Sequence, residues 1–278
     1  MHKPAPIIVI DRFPELLNAL IDLLRGLTPA EWERPTVAPG WRVKDIALHL
    51  LGDDIGIVSR KRDGFREPSP QLDSWQELVA WLNQRNNAWV ENMRRISPRL
   101  LCDLLELVGN QMNEYFATLD LAAMGGAVSW AGPDPAPVWL DVAREYTEQW
   151  HHQQHIRDAV GKPGLTGPRY LAPVLATFVH ALPHTYRMVD AAQGTCVTLT
   201  IVGESGGTWT IVRQRQHNRW QLYTGKPEQP NAETVLPEQI AWRLFTRGIS
   251  QETARAQATI FGDHALGAQM LNAVSIIA

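Results

Sequence analysis

Through the first 160 residues the hydrophobic positions recur every three or four residues. Phe13, Leu16, Leu17, Leu20, Ile21 and Leu24 form one helical stripe, which Gly26 closes. Thr28-Pro29-Ala30-Glu31 follows as a capping box, with threonine at the N-cap, proline at N1 and glutamate at N3, and opens a short helical turn. Beyond the turn at Pro39-Gly40, Val43, Ile46, Ala47, Leu50 and Ile57 predict a second long helix, with His49 and Asp53 at i and i+4 along its flank. Ser74-Trp75-Gln76-Glu77 starts a third, running through Trp81, Leu82, Trp89 and Met93 to about Ile96. Ser97-Pro98 starts a fourth, carrying Leu101, Leu104, Leu105, Val108, Met112 and Phe116. A glycine- and proline-rich loop, Gly125 to Pro137, precedes the last long helix. That helix carries Trp139, Val142, Tyr146 and Trp150, and it stops at Gly161 with Pro163 beyond.

After Pro163 the texture changes. Leu171 to Ala192 reads as one more helix, in which His180 and His184 flank Pro183, a residue that works against a shared metal face. From Cys196 the period becomes two: Val197, Leu199 and Ile201, then Trp209 and Ile211, then Trp220, Leu222 and Tyr223. Turns are expected at Gly203 to Gly207 and at Gln216 to Asn218. A helix over Pro237 to Gly248, a short strand at Ala258 to Phe261 and a final helix from about Asp263 complete the chain. Long amphipathic helices with short connections predict an up-and-down bundle over 1–165. The meander and its helices predict a smaller α+β domain, built on an antiparallel sheet, over 166–278.

Composition narrows the function. The 278 residues, 45% hydrophobic and 20% charged, can fill two cores, and the net charge of −3 comes without any basic run that could track phosphates. Nucleic acid is therefore not expected as a partner. Cys102 and Cys196 lie in apolar segments without CxxC or Cys-His spacing and read as buried thiols in a reducing compartment. The apolar run Pro6 to Ile10 is too short for a signal-peptide core or a membrane span, so a cytoplasmic protein with no membrane partner, monomeric or homodimeric, is expected.

The chemistry concentrates in Glu148-Gln149-Trp150-His151-His152-Gln153-Gln154-His155. At roughly 100° per residue, Glu148, His152 and His155 share one stripe of the last long helix. A carboxylate beside neutral imidazoles on a core-forming helix calls for a divalent metal, which offsets the cost of burying the acid. His151 and His155 form a competing pair at i and i+4, which would leave Glu148 without a partner. His49 alone reads either as a hydrogen-bonded histidine beside a core stripe or as a ligand from a second helix.

Two segments carry a family resemblance. Gly40-Trp41-Arg42-Val43-Lys44-Asp45-Ile46-Ala47-Leu48-His49-Leu50 and Glu148 through Ala159 resemble the metal-bearing segments of the mycothiol-dependent maleylpyruvate isomerases, within the DinB/YfiT-like superfamily of four-helix-bundle metalloenzymes. Trp242 to Gly248 and Gly262-Asp263-His264-Ala265-Leu266 resemble the family's carboxy-terminal domain. The resemblance implies a DinB-like four-helix bundle with metal ligands at His49, Glu148 and His152. It leaves His155 as a fourth ligand, a supporting residue or a polar group at the pocket mouth, and Asp53 as a residue that orients an imidazole through its other ring nitrogen. Arg247 matches an arginine near the isomerase active site, where it would clamp a substrate carboxylate. It also reads as a solvated helix-end arginine.

Three protein ligands leave one position open, as in catalytic zinc sites, and two nitrogens with one oxygen suit zinc, with nickel as the other candidate. The resemblance implies a low-molecular-weight thiol, mycothiol or bacillithiol, added to a small electrophilic substrate by a transferase or isomerase. A metal-dependent hydrolase, with water in the open position, is the second reading. The third is a non-catalytic protein whose metal braces the bundle while the α+β domain binds a small ligand.

Overall fold

A computed structural model describes residues 1–68, 70–214 and 219–276. The chain divides into two compact units. One comprises Val9–Asp120 and Glu148–Gly164, and the other comprises Met1–Ile8, Leu121–Thr147 and the chain from Leu165 onward.

The first unit is helical. Its elements are α1 (Phe13–Arg25), the short α2 (Pro29–Trp32), α3 (Val43–Ile57), α4 (Trp75–Met93), α5 (Pro98–Ala117) and the C-terminal part of α6 (Val138–Val160). The capping residues act as their types predict. The Thr28 hydroxyl accepts from the Glu31 N–H while the Glu31 carboxylate accepts from the Thr28 N–H, and Ser74 and Ser97 cap α4 and α5. Gly161, at φ +67°, ends α6 in the left-handed conformation that glycine adopts without strain. One core joins Leu20 and Leu24 of α1, Ile46 and Leu50 of α3, Val90 of α4, Leu101 and Leu105 of α5, and Ile156 and Val160 of α6.

Helix α3 lies at the centre of this unit. Its expected stripe is buried, but so are Leu48, Leu51, Asp45, His49 and Asp54, which point in other directions. A helix enclosed on nearly every side must give each polar side chain a partner. Asp45 accepts two hydrogen bonds from the Arg94 guanidinium, at 2.9 and 3.1 Å, and one from the Arg42 N–H at 3.0 Å. Asp54 accepts from the Gln149 amide of α6. His49 faces an imidazole of α6. Gly52 allows α4 to come close: a Cβ there would stand 2.6 Å from Nε1 of Trp89, which donates to the Leu48 carbonyl at 2.7 Å.

The second unit holds a five-stranded sheet in the order β5-β4-β3-β6-β7, formed by β3 (Cys196–Val202), β4 (Gly207–Arg213), β5 (Trp220–Thr224), β6 (Ala232–Pro237) and β7 (Thr259–Gly262). Strands β3, β4 and β5 form the expected antiparallel meander, and the turn expected at Gln216 to Asn218 lies outside the described residues. Strand β6 pairs in parallel with β3 and antiparallel with β7, so the sheet is mostly and not wholly antiparallel. The Gly125 to Pro137 stretch, expected as a loop, carries a short ladder between β1 (Met124–Ala127) and β2 (Pro135–Pro137), with both prolines at strand ends.

The helix expected over Leu171 to Ala192 is shorter and broken. Helix α7 (Pro168–Phe178) passes through a 3₁₀ turn at Val179–Ala181 into α8 (Leu182–Thr185). Pro183 has no N–H to donate and its ring crowds the carbonyl four residues back, so the tighter turn precedes it. Helices α9 (Glu238–Phe245), α10 (Gln251–Gln257) and α11 (His264–Gln269) complete the unit. Cys102 is buried, whereas Cys196, at the first position of β3, is only half-buried, and both are free thiols. Among the described residues no helix is long and apolar enough to cross a membrane.

Candidate metal centre

The polar face of α6 and the buried flank of α3 meet within the helical unit. Nε2 of His49, on α3, lies 3.1 Å from Nε2 of His152, on α6. The rings are nearly perpendicular, with centroids 4.5 Å apart, so each presents a nitrogen edge to the other. Glu148 stands one turn before His152, and its Oε2 is 3.6 Å from the same His152 nitrogen. The Trp41 ring, 5.1 Å from that of His49 between centroids, walls the α3 side. Thus His49, Glu148 and His152 come together around His152 Nε2.

The remaining polar residues of the stripe surround this group. His151 and His155, one turn apart, have ring centroids 4.1 Å apart, while His152 lies 5.3 Å from the first and 5.4 Å from the second. His155 therefore packs most closely on His151. Donor atoms of Glu148, His151 and His152 lie within 4.8 Å of one another. Asp53 differs from the sequence expectation: its Oδ2 is 3.2 Å from Nε2 of His49, the nitrogen that faces His152, and not on the far side of the ring. The reason is helical spacing, since a short carboxylate one turn on from His49 meets the ring at its tip.

Electrostatics favour neutral imidazole at the α3 position. Burial first, and then the neighbouring imidazoles of His152 and His155, hold the His49 ring well below the usual histidine range. A neutral imidazole keeps a lone pair for a cation. Nδ1 of His152 is buried without a hydrogen-bond partner among the described residues.

The donor set suits a divalent ion. Two nitrogens each about 2.0–2.1 Å from zinc at a tetrahedral angle stand roughly 3.3 Å apart, close to the observed separation of the two imidazole nitrogens. The Glu148 carboxylate, 3.6 Å from the same His152 nitrogen, adds an oxygen donor on the α6 side.

Arg247 belongs to the other unit, where it follows α9. Its N–H donates to the Leu244 carbonyl at 3.0 Å and the Gly248 N–H to the Arg243 carbonyl at 2.7 Å, the paired bonds of a Schellman C-cap. The residue in the left-handed position of that cap is normally glycine. Here it is Arg247, at φ +56°, the only non-glycine residue with positive φ among those described. Sequence reasoning also missed the partners of the buried carboxylates, Arg94 for Asp45 and Gln149 for Asp54. The signal available for the first was an aspartate at the third position of α3, where a capping carboxylate is expected.

Comparisons with known proteins now bear on this geometry. The sequence profile of the mycothiol maleylpyruvate isomerase N-terminal domain matches residues 13–157, more than half of the chain. In solved structures the chain is similar to a mycothiol-dependent maleylpyruvate isomerase (TM-score 0.52, 13% identity, covering 86% of this chain and 88% of that one). It is similar as well to a histidine-to-alanine mutant of such an isomerase (TM-score 0.53, 12% identity, covering 90% of each chain). At these identities the likeness is one of fold, a helical bundle with a C-terminal sheet domain. A comparison with curated protein sequences finds no match.

Proposed function

Because the chain belongs to the mycothiol maleylpyruvate isomerase family, we propose that it is a divalent-metal- and thiol-dependent isomerase or transferase acting on a small electrophile. The observation that carries this reading is the approach of His49 Nε2 to His152 Nε2 at 3.1 Å with the Glu148 carboxylate alongside. On this reading His49, Glu148 and His152 hold the ion, with zinc favoured and nickel next. When bound, the ion lowers the pKa of a thiol placed in its open position, so that the thiolate is present at neutral pH.

The thiol is that of a low-molecular-weight cofactor, mycothiol or bacillithiol. Its sulfur adds to an electrophilic carbon of a double bond conjugated to a carbonyl, and the displaced π electrons move onto the carbonyl oxygen. Rotation about the resulting single bond and expulsion of the same thiolate give the isomer and regenerate the cofactor, while protonation of the adduct gives the transfer product. A substrate of the maleylpyruvate type, with carboxylates flanking the double bond, fits this chemistry. The chain's own residues fix the ligating groups: enclosure of α3 holds the His49 ring still, and the Trp41 ring limits water on that side. To Arg247 we assign the binding of a substrate carboxylate through its planar fork.

The test is turnover of a maleylpyruvate-type substrate by zinc-loaded protein with mycothiol or bacillithiol. Loss of more than 100-fold in His49→Ala and in His152→Ala, with unfolding transitions near wild type, is the expected result. Metal-loaded protein that hydrolyses the substrate without a thiol points instead to the hydrolase. Protein that binds metal yet shows no chemistry with either thiol leaves only a metal-braced binding protein.

A further inference from the structure

The approach of His152 to His49 is one point of contact between α6 and α3, and a single point leaves two helices free to roll and slide. A second polar contact lies beside it. Gln149, the residue after Glu148, donates from its side-chain amide to the carboxylate of Asp54, and both side chains are buried. Asp54 follows His49 by five residues and Gln149 precedes His152 by three, so the two contacts stand roughly 7.5 Å apart along α3 and roughly 4.5 Å apart along α6. Two points on each helix fix rotation and axial position together.

Neighbouring interactions restrain α6 differently. Beyond the histidine pair, Ile46 of α3 and Ile156 of α6 belong to one apolar cluster, and apolar contact is non-directional. Gln153 donates to the Leu16 carbonyl at 3.1 Å, which ties α6 to α1 and not to α3. A small cavity borders Asp54 and Gln149, lined also by Phe13 and Leu16 of α1 and by Met112 and Asn113 of α5. Close packing therefore does not clamp the Gln149 side chain, and its hydrogen bond does.

Resting on the reading of the metal centre above, we propose that Gln149 is a positioning residue for that centre: its bond to Asp54 sets the register of α6 against α3, and with it the distance at which Glu148 and His152 meet His49. Without the amide, the buried carboxylate is short of a donor. Rotation of α6 that relieves this carries Glu148 and His152 away from the His49 ring.

The experiment measures Co²⁺ binding to metal-free full-length protein, with the dissociation constant and the visible d–d bands as readouts and thermal unfolding alongside. Gln149→Leu is expected to weaken binding at least 10-fold, within the 10- to 100-fold range of residues that orient metal ligands, and to shift the d–d bands. Asp54→Asn keeps a side-chain oxygen for the Gln149 amide and should bind within 3-fold of wild type. Leu101→Ala, a core truncation in α5, should lower Tm while leaving affinity and bands unchanged. Wild-type affinity and bands in Gln149→Leu overturn the proposal and leave the proposed function standing. So does an equal loss of affinity in Leu101→Ala, which makes the effect one of stability, or in Asp54→Asn, which makes it one of charge. No Co²⁺ binding by wild type overturns the metal centre itself. Should Gln149→Leu fail to fold, Gln149→Asn, whose amide is one methylene too short to reach Asp54, carries the same expectation.

Discussion

Nε2 of His49 and Nε2 of His152 stand 3.1 Å apart although 103 residues separate them in the chain. A ligand that bridges them ties α3 to α6 in the folded state and finds no such pair in the unfolded chain. Zinc at 100 times its dissociation constant should then stabilise the protein by about 2.7 kcal/mol, on the order of 5 °C in Tm for a chain of this size. Differential scanning fluorimetry with zinc and then with EDTA checks this. A shift that survives in His152→Ala would falsify the bridge.

The carboxylate of Asp45 is fully enclosed, and although burial raises its pKa, hydrogen bonds from Arg94 and then from the Arg42 N–H outweigh this and hold it below the usual carboxylate range. A depressed carboxylate stabilises the fold above its unfolded pKa, about 4, and the benefit disappears as pH falls through the lower folded value. Arg94→Ala should cost about 2 kcal/mol at pH 7, the penalty for a buried acceptor left under-satisfied; the exposure of the arginine keeps the figure modest. Urea denaturation of both proteins should show the gap closing as the pH is lowered below 4.

Arg247 occupies the left-handed position of the cap that ends α9. An L-residue there costs roughly 1–2 kcal/mol over glycine, so Arg247→Gly is expected to raise Tm while reducing turnover. Arg247→Lys keeps the backbone cost and the charge but loses the fork, and should raise KM with little change in Tm. A protein equally active with glycine at 247 makes Arg247 a helix-end residue and removes it from substrate binding.

His180 packs edge-on against Trp139, 5.5 Å between ring centroids, and burial pushes its pKa down to about 4. The native ring stays neutral where the unfolded one, near 6.5, takes a proton, so stability should fall as pH drops from 6.5 to 4. His180→Leu should flatten that part of the stability curve. An unchanged slope means that the buried ring opens to solvent before the protein unfolds.

The helical elements were legible because local chemistry announces them. Thr28, Ser74 and Ser97 cap where their hydroxyls can reach a free N–H, and Gly161 stops α6 where a left-handed residue is needed. Strand β6 escaped notice because its buried positions are Ala232, Thr234 and Leu236, of which only the last is strongly apolar. The break in α7 was signalled by Pro183, but the apolar residues on either side of it maintain a helical period that hides the interruption. At the candidate centre, the stripe of Glu148, His152 and His155 followed from helix geometry, whereas the approach of His49 could not. A histidine beside a core stripe carries no periodic signal, and only the family resemblance singled it out. The burial of Asp45, Asp54 and His49 together was invisible for a related reason: it arises from enclosure of α3 by its neighbours, a property of the assembled unit.

The parallel alignment of β6 with β3 has a kinetic side. Val197 meets Ala232 only after the chain between them has made the β3–β4–β5 excursion and returned, and long-range pairings of this kind slow folding because loop entropy is lost before contacts form. Refolding followed by far-ultraviolet circular dichroism, with amide protection read by pulsed hydrogen exchange, should therefore show the helical signal arriving ahead of protection in β6, the strand that waits for that closure.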